Sequence, residues 1–514
     1  MLTVVFEPGA KASLYEQLYR AIRSEIESGG IAANEKLPSK RKLATHLNIS
    51  QCTVENAYAQ LIAEGYLTSV EKKGYYANSL KPIARHHIPK NPPRSSERGE
   101  KTTSWQATAP PSLDSALPKR GVPNDGSRGV DALGHPGLLA YDLRTNSIDT
   151  RHFPYSVWSK LMRECMRDEP DRLVSPVDPQ GDFGLRTQIA RHLREFRALD
   201  VAAEQIVLGA GTEYLLGMLT ELLPEANFGI EDPGYHTFSS ILQSRKRRYH
   251  PVAVDDEGLV VRQLETTAAQ VALVTPSHQF PLGVIMSIAR RQQLLNWAMA
   301  DARRFIIEDD FNSGFHFGLR PVPALFCLDG GSRVIYLNSF ANSLAPSLRI
   351  AYMVLPHELL ARYRATLRFY SCTVSTFEQL TLKRFLRDGY FERHLNRMRK
   401  VYRRRQAALI EGLAPLRAGV SGDGSRCECE RGCGCGEVRV FGQLAGLHLL
   451  ISAQGLPEQE LVRRAAQQGV GVYPLSAYHY GSRPETHTVI AGFAGYPTAE
   501  LTQAVQRLAV AWTA

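Results

Sequence analysis

The sequence SFANSLAPSLR, at residues 339–349, decides how the rest of the chain is interpreted. It combines small hydroxyl side chains with an arginine, whose planar guanidinium can bind a phosphate group through two parallel hydrogen bonds. Asn342 stands between two of its serines. Its nitrogen belongs to an amide whose lone pair is delocalised, so it cannot form an imine with an aldehyde. The stretch therefore offers contacts for an anion but no reactive amine.

Length and composition indicate a globular chain of two to four domains. The chain has 514 residues, of which 44% are hydrophobic and 22% charged. No uninterrupted apolar window reaches the ~18 residues of a membrane span, so we expect a cytoplasmic protein without a membrane partner. The net charge of +10 is spread along the chain, and alone it does not identify a nucleic-acid-binding domain.

The first eighty residues show the pattern of three short helices followed by a hairpin. Apolar residues recur every four positions over residues 13–29, and Ser39 and Ser50 are placed to cap the second and third helices. Strand-like residues 66–70 and 75–77 flank a turn that contains Gly74. This order predicts a winged helix-turn-helix in residues 1–78, whose third helix reads the major groove of double-stranded DNA.

Three motifs in this region resemble the GntR family of transcription regulators: LPSKRKLA at 37–44, SQCTV at 50–54 and EGYL at 64–67. The resemblance implies that Ser39 and Arg41 contact phosphates or bases. It also implies that Ser50 and Thr53 contact the phosphate backbone and that Gly74 lies at the tip of the wing. Gln51 stands where the family commonly has arginine, and an amide suits adenine better than guanine. The alternative is a set of capped surface helices with no DNA partner.

Residues 79–137 predict a flexible linker, because they contain nine prolines and no sustained apolar period. After them, apolar runs alternate with helical patterns, which indicates a parallel sheet with crossover helices. Residues 206–208 form one such run, and the glycine-rich turn 209–213 follows it. Runs at 272–275 and 305–307 end in polar residues, where open α/β sheets place their ligands.

The sequence from residue 138 onward resembles the aminotransferase-like domain of the MocR subfamily of GntR regulators. The motifs are DPQG at 178–181, EDPGY at 231–235, TPSHQFPLG at 275–283, IEDDFNS at 307–313 and the opening stretch. The resemblance implies an α/β fold: a fold-type I aminotransferase-like large domain and a small α+β C-terminal subdomain. The aminotransferase-like domain would cover residues 138–514, with the small subdomain at about 371–514.

The same resemblance implies a pyridoxal phosphate pocket. Tyr235 is similar to the aromatic residue that stacks on the pyridine ring, and Asp309 to the carboxylate that pairs with the ring nitrogen, which makes the cofactor an electron sink. The residues similar to phosphate ligands are Ser339, Ser343 and Arg349, with Gly211 and Thr212 beside them. Asn342 takes the place of the lysine that carries the cofactor, so binding would be non-covalent.

Two further positions depart from the aminotransferase pattern. Phe311 replaces a tyrosine whose hydroxyl contacts the cofactor, and residues 486–492 lack the arginine that binds the substrate carboxylate, with Arg483 the nearest substitute. Without the lysine, the general acid and base of transamination is also missing. We therefore expect a regulator that senses a small-molecule effector, not an enzyme, and the resemblance implies that it is a homodimer. Two alternatives stay open: a pyridoxal-phosphate enzyme fused to a DNA-binding module, and a scaffold with an empty, structural pocket.

Four cysteines form a cluster, at Cys427, Cys429, Cys433 and Cys435. Four thiols within nine residues could hold zinc or a softer metal such as Cu(I). The usual structural zinc spacing, however, places two residues between paired cysteines. We therefore expect a glycine-rich surface hairpin, with metal binding as the alternative.

Overall fold

The computed structural model describes residue 6 and residues 13–47, 49–70, 73–79, 139–145, 147–317, 322–417, 438–453, 455–481 and 484–513. The four clustered cysteines, Arg483 and the predicted linker beyond Ser79 lie outside the described residues. Among the described helices, none has both the length and the apolar character that crossing a bilayer requires.

The N-terminal unit consists of three helices and a three-stranded sheet. In chain order, its elements are α1 (Leu14–Ser28), β1 (Lys36–Leu37), α2 (Lys40–Leu47), α3 (Gln51–Ala63), β2 (Leu67–Val70) and β3 (Gly74–Ala77). The strand order is β1-β3-β2, with antiparallel pairing throughout. Apolar faces of the helices meet in one core that includes Leu18, Ile22, Val54 and Leu61. This arrangement confirms the predicted winged helix-turn-helix.

Capping residues define where these helices begin and end. Ser39 Oγ accepts a 3.3 Å hydrogen bond from the Lys42 amide, and Ser50 Oγ accepts one of 3.1 Å from the Thr53 amide. α1 ends at Gly29, whose φ of 80° lies in the left-handed region that glycine adopts without steric cost. The sequence therefore sets the helix ends locally.

After residue 138, the chain builds a large α/β layer structure. The elements up to its last sheet strand are β4 (Tyr141–Asp142), α4 (Tyr155–Asp168), α5 (Pro170–Val174), α6 (Phe183–Arg197), β5 (Ile206–Gly209), α7 (Thr212–Leu222), β6 (Phe228–Asp232), α8 (His236–Ser244), β7 (Tyr249–Asp255), β8 (Gly258–Leu259), α9 (Val261–Glu265), β9 (Val271–Val274), α10 (Ile288–Met299), β10 (Phe305–Asp309), α11 (Leu325–Asp329), β11 (Val334–Ser339) and β12 (Ala351–Val354). Eight of these strands form one sheet, in the order β5-β12-β11-β10-β9-β6-β7-β8.

The sheet is mixed, which corrects the prediction of a purely parallel one. β11, β10, β9, β6 and β7 run parallel, whereas β12 is antiparallel to both of its neighbours and β8 is antiparallel to β7. Strand direction depends on connections between distant segments, which an apolar run alone does not encode. β10 also extends to Asp309, two residues beyond the predicted end. Successive residues such as Ile306 and Ile307 face separate cores on the two sides of the sheet.

The C-terminal part packs further helices around a small antiparallel sheet. Its elements are α12 (His357–Thr366), α13 (Thr376–Arg387), α14 (Tyr390–Gly412), α15 (Ala414–Arg417), β13 (Val438–Phe441), β14 (His448–Ala453), α16 (Glu458–Gln467), β15 (Val470–Gly471), β16 (Tyr473–Pro474), β17 (Thr488–Gly492) and α17 (Thr498–Thr513). The sheet order is β13-β14-β17-β16, and β15 pairs separately with β4. This pairing joins the start of the α/β region to its end.

The N-terminal unit rests on the large α/β region at the start of α10. The Ile288 amide donates a 2.9 Å hydrogen bond to the Glu64 carbonyl at the end of α3. The Ile288 side chain is 1% exposed and belongs to the apolar core of the N-terminal unit. A Cβ atom on Gly65 would lie 2.9 Å from the Ser287 Cβ, closer than carbon atoms pack. Glycine at this position therefore permits the close approach.

Candidate functional site

Strand ends bring the predicted ligand residues to one edge of the large sheet. β6, β9, β10 and β11 run parallel, so Glu231, Asp309 and Ser339 lie near the same carboxyl edge. Ser339 pairs with Ala351 of β12, and Ala351 pairs with Gly209 of β5. The glycine-rich turn after β5 therefore emerges at the level of Ser339. This edge is where open α/β sheets bind their ligands.

Asp309 is a buried carboxyl group that forms no ion pair with any residue in the described part of the chain. Its side chain is 5% exposed, and Oδ1 has no hydrogen-bond partner among the described residues. Burial, together with repulsion from the Asp310, Glu213 and Glu231 carboxylates, raises the pKa of Asp309 to about 8. A buried carboxyl with one free oxygen is suited to a ligand that brings a cationic nitrogen, and a pyridinium ring satisfies that requirement.

Glu231 is a second buried acid at this edge. Its carboxylate accepts a 2.6 Å hydrogen bond from the Thr275 hydroxyl and a 3.3 Å bond from the Gln279 amide. Burial raises the pKa of Glu231 to about 7. The motifs at 231–235 and 275–283, which are far apart in the sequence, thus meet through this carboxylate.

Asn342 is held by a side chain from the loop after β10. It is 8% exposed, and its amide nitrogen donates a 3.0 Å hydrogen bond to Asn312 Oδ1. Asn312 follows Asp309 by three residues, so the two predicted ligand segments are directly connected. Buried polar groups need hydrogen-bond partners. The amide nitrogen of Asn342 and the amide oxygen of Asn312 provide this for each other. Asn312 was not among the predicted site residues, although it belongs to the motif at 307–313.

Gly211 and Arg349 lie against each other at the start of α7. Gly211 has a φ of 100°, and a Cβ atom there would overlap the Arg349 guanidinium. Arg349 itself has a φ of 51°, a left-handed conformation that costs energy for any residue other than glycine. Thr212 is the first residue of α7, Ser339 ends β11, and Ser343 lies in the turn that follows; both serines are half-buried. These are the residues predicted from the sequence as the phosphate site.

Arg349 already has an anionic partner within the chain. Its Nη2 donates a 2.6 Å hydrogen bond to Glu213 Oε2 and a 3.3 Å bond to the Ala210 carbonyl. Glu213 follows Thr212 directly and lies in the first turn of α7. Glu213 is the last residue of the glycine-rich turn 209–213, and no role was predicted for it.

Tyr235 belongs to an aromatic cluster beside the pocket. Its ring makes edge-to-face contacts with Phe238, at a centroid distance of 5.4 Å, and with Phe280, at 5.7 Å. Phe311 contacts Phe280 in turn, at 6.5 Å. Edge-to-face packing fixes the plane of each ring. Phe311, which replaces the tyrosine of aminotransferases, therefore contributes packing without a hydroxyl group.

Buried charges behind the pocket connect it to distant helices. Asp310 forms a 2.7 Å ion pair with Arg197 at the end of α6 and accepts a 2.6 Å hydrogen bond from the Tyr336 hydroxyl. Glu308 faces Arg291 of α10 at 3.7 Å, and both side chains are fully buried. Sequence reasoning missed both arginines, because nothing local marks them as partners of the acidic motif at 308–310.

The predicted DNA-contacting residues lie at the surface of the N-terminal unit. Ser39, Arg41, Ser50 and Gln51 are exposed, and Thr53 is half-buried. The hydroxyl groups of Ser50 and Thr53 are 2.8 Å apart. These residues occupy the first turns of α2 and α3, which is the part of a recognition unit that enters the major groove.

Glu55 of α3 contacts Gln51, and Lys40 of α2 contacts both Glu55 and the wing. The Gln51 amide donates a 3.1 Å hydrogen bond to Glu55, and Lys40 lies 3.5 Å from the same carboxylate. Lys40 also lies 5.9 Å from the centre of the Tyr75 ring in the wing. Gly74 begins β3 with a φ of 119°, which favours glycine.

Two family models match this chain. The model described as bacterial regulatory proteins, gntR family, covers residues 14–76, and the model described as aminotransferase class I and II covers residues 142–508. The Rhizobium meliloti protein named probable rhizopine catabolism regulatory protein MocR is 30% identical, over 99% of this chain and 96% of its own length. The chain belongs to the MocR subfamily of GntR-family transcription regulators. Such GntR regulators bind DNA through the helix-turn-helix unit.

Other MocR-type relatives cover a similar share of the sequence. The uncharacterized HTH-type transcriptional regulator YdeL of Bacillus subtilis is 36% identical, over 97% of this chain and 96% of its own length. The HTH-type pyridoxine biosynthesis transcriptional regulator PdxR of Corynebacterium glutamicum is 30% identical, over 96% and 95%. The matches span the DNA-binding unit as well as the aminotransferase-like region of the MocR architecture.

Solved structures confirm the fold of the MocR-type aminotransferase-like region. The multiple substrate aminotransferase of Thermococcus profundus superposes with a TM-score of 0.61, at 22% identity, over 74% of this chain and 92% of its own. Pyrococcus horikoshii kynurenine aminotransferase gives a TM-score of 0.60, at 23% identity, over 72% and 90%. At these identities the likeness shows the fold alone. It confirms the α/β class predicted from the sequence.

Proposed function

We propose that the aminotransferase-like domain of this regulator binds pyridoxal phosphate, or an amino-acid adduct of it, reversibly and without a covalent bond. The observation that carries the proposal is the buried Asp309 Oδ1, which has no hydrogen-bond partner among the described residues. We infer from the resemblance that Asn342 takes the place of the lysine in this pocket. The pocket retains a place for a cationic ring nitrogen and lacks the amine that would hold an aldehyde.

Each predicted ligand residue has a physical role in this proposal. Asp309 pairs with the ring nitrogen, and Tyr235 fixes the ring plane. Arg349 provides hydrogen-bond donors for the phosphate, whose other contacts are Ser339, Ser343, Thr212 and the backbone at Gly211. In aminotransferases the lysine-bound cofactor supplies an electron sink. Here Asn342 only donates to Asn312, so it positions neighbouring polar groups and transfers no proton.

Absence of catalysis follows in this proposal from the lysine's replacement. The sequence contains no lysine between Lys246 and Lys383. Lys383 lies on α13 and forms a 3.0 Å ion pair with Glu169, which stands between α4 and α5. The pocket thus lacks a group that anchors the cofactor and exchanges protons with a substrate. The role that we propose for it is therefore sensing.

The output of the sensor is DNA binding by residues 1–78, through Ser39, Arg41, Ser50, Gln51, Thr53 and Gly74. Phosphate contacts by such residues position the protein, and Gln51 reads a base edge. A regulator of this kind acts on double-stranded DNA in the cytoplasm. A relative named as a regulator of pyridoxine biosynthesis supports a vitamin B6 compound as the effector.

The proposed assembly is a homodimer. Large apolar side chains are left in contact with solvent along the chain, and the most exposed are Val174 at 85% and Phe369 at 75%. Phe183, at 52%, lines a cavity of about 310 Å³ together with Arg364 and Arg368, next to Phe369 in sequence. Phe369, which stacks on Tyr370 at a centroid distance of 4.5 Å, is the contact that we propose for the partner copy.

The test compares the wild type with Asn342→Lys, and uses Asn342→Gln as the control because glutamine adds length without an amine. Each protein is incubated with pyridoxal phosphate and reduced with borohydride, and peptide mass mapping then locates any adduct. We expect an adduct at position 342 only in the lysine variant. If Asn342→Lys is folded and forms no adduct at position 342, the pocket does not bind pyridoxal phosphate and the proposal is contradicted.

A further inference from the structure

The phosphate end of the pocket contains a carboxylate of the protein itself. Glu213 Oε2 accepts a 2.6 Å hydrogen bond from Arg349 Nη2, and the two side chains are 36% and 49% exposed. An aspartate or glutamate next to the arginine reproduces the chemistry of a bound anion, because a carboxylate and a phosphate oxygen use the same guanidinium donors.

The backbone around this pair places Glu213 close to Arg349. Gly211 has no side chain between the turn and the guanidinium, and a Cβ atom there would overlap Arg349. The left-handed backbone at Arg349, with a φ of 51°, directs the residue from the turn after β11 toward α7. The arginine and the glutamate therefore come from segments that are each fixed by the fold.

The charge of Glu213 also reaches the other end of the pocket. It is one of the carboxylates whose repulsion raises the pKa of Asp309. The cationic Arg349 and the anionic Glu213 together leave the phosphate end without net charge. A dianionic phosphate that enters must share Arg349 with a carboxylate and approach a like charge, which weakens its binding.

We propose that Glu213 is a specificity-determining residue that competes with the ligand phosphate for Arg349. Because of this competition, a phosphate-bearing ligand exchanges rapidly with solution, which a sensor requires. A resident cofactor, by contrast, stays bound. The inference rests on the proposed function, because it assumes that a pyridoxal-type compound occupies the pocket.

The test measures binding of pyridoxamine phosphate and of pyridoxamine by isothermal titration calorimetry. Both probes are amines, so neither forms a covalent bond with surface lysines, and they differ only in the phosphate group. The variants are Glu213→Gln, which keeps the shape and removes the charge, and Glu213→Ala, which removes the carboxylate altogether. Glu221→Gln is the matched control, since Glu221 lies about two turns further along α7 and pairs with Arg245.

We expect Glu213→Gln and Glu213→Ala to bind pyridoxamine phosphate about tenfold more tightly than the wild type, and pyridoxamine with unchanged affinity. Glu221→Gln should match the wild type for both probes. Equal pyridoxamine phosphate affinity in the wild type and both Glu213 variants would overturn the inference and leave the proposed function intact. A gain that is equally large for pyridoxamine would also overturn it, because the phosphate would not be the group that competes.

A different outcome is that none of the proteins binds either probe. It would overturn this inference and the proposed ligand class together, since removal of the competing carboxylate would then reveal no phosphate site. Thermal unfolding of each variant checks that the pocket is folded, and Glu213→Gln serves as the more conservative substitution if Glu213→Ala unfolds early.

Discussion

The Ile288 amide at the start of α10 donates a 2.9 Å hydrogen bond to the Glu64 carbonyl at the end of α3. The same helix α10 carries Arg291, which faces the buried Glu308 next to Asp309. The helix that supports the DNA-binding unit therefore also contacts the strand that forms the floor of the pocket. We propose α10 as the element through which occupancy of the pocket influences the recognition helix.

Ile288→Ala should loosen the N-terminal unit from the rest of the chain. The side chain is buried in the core of that unit, so its removal costs about 2–4 kcal/mol at the contact. We expect faster hydrogen exchange in α1 and α3, measured by mass spectrometry, with unchanged exchange in β9 and β10. Val510→Ala, at an apolar position that is 58% exposed, should change neither. Unchanged exchange in α3 of Ile288→Ala would contradict the packing role of the contact.

Asp309→Asn should change how stability depends on pH. Burial raises the pKa of Asp309 from its ordinary value of 3.8 to about 8 in the folded protein, so between these values the folded state holds a proton that the unfolded state has lost. The free energy of unfolding of the wild type therefore falls as pH rises, by at most about 1.4 kcal/mol per pH unit from this group. Asparagine does not titrate, so the stability of Asp309→Asn relative to the wild type should increase from pH 5 to pH 8.

Urea denaturation of both proteins at a series of pH values measures this difference. The difference should level off above about pH 8, where the carboxyl group is ionised in both states. Other titrating groups are common to the two proteins and cancel. Parallel profiles over the whole range would show that Asp309 is not the buried acid described here.

Gln51→Ala and Arg41→Ala should affect DNA binding in different ways. A base contact by the Gln51 amide is worth about 1–3 kcal/mol of discrimination, so its loss should reduce the preference for the operator over a scrambled duplex. Of the two predicted contacts of Arg41, phosphates or bases, we propose the phosphate contact, so its loss should weaken binding to every sequence and reduce the slope of affinity against salt by about one. Fluorescence anisotropy at several salt concentrations separates the two effects. The same loss of discrimination in both variants would contradict the assignment.

Phe369→Glu should disrupt the proposed homodimer. The side chain is 75% exposed and stacks on Tyr370 at a centroid distance of 4.5 Å, so it offers a rigid apolar surface to a partner. A charge buried at an interface without a partner is costly, and the variant should elute as a monomer. Light scattering coupled to size-exclusion chromatography gives the mass directly. An unchanged dimer mass would place the interface elsewhere.

Local signals in the sequence predict a large part of this molecule. The Ser50 cap and the apolar spacing that follows it determine α3, and the φ of 100° at position 211 favours glycine. The position of Asp309 at a strand end is likewise predictable, because the apolar run 305–307 is followed by polar residues. Such features depend on neighbours in sequence.

Features that depend on distant segments were not predictable in the same way. The antiparallel direction of β12, the ion pair of Arg197 with Asp310 and the contact of Ile288 with Glu64 join segments whose proximity the sequence does not state. Glu213 is an instructive case, since its position was visible but its pairing with Arg349 arises only from the fold. Charge pairs between distant segments therefore need the structure.

The most direct test of the central claim is an anisotropy titration of the full chain on a labelled duplex from its own upstream region, with and without pyridoxal phosphate. We predict a specific complex whose dissociation constant changes by at least about fivefold when the ligand is added, in keeping with a coupling free energy of about 1 kcal/mol or more. Equal affinity for the upstream and scrambled duplexes, or a dissociation constant that does not respond to the ligand, would contradict the account.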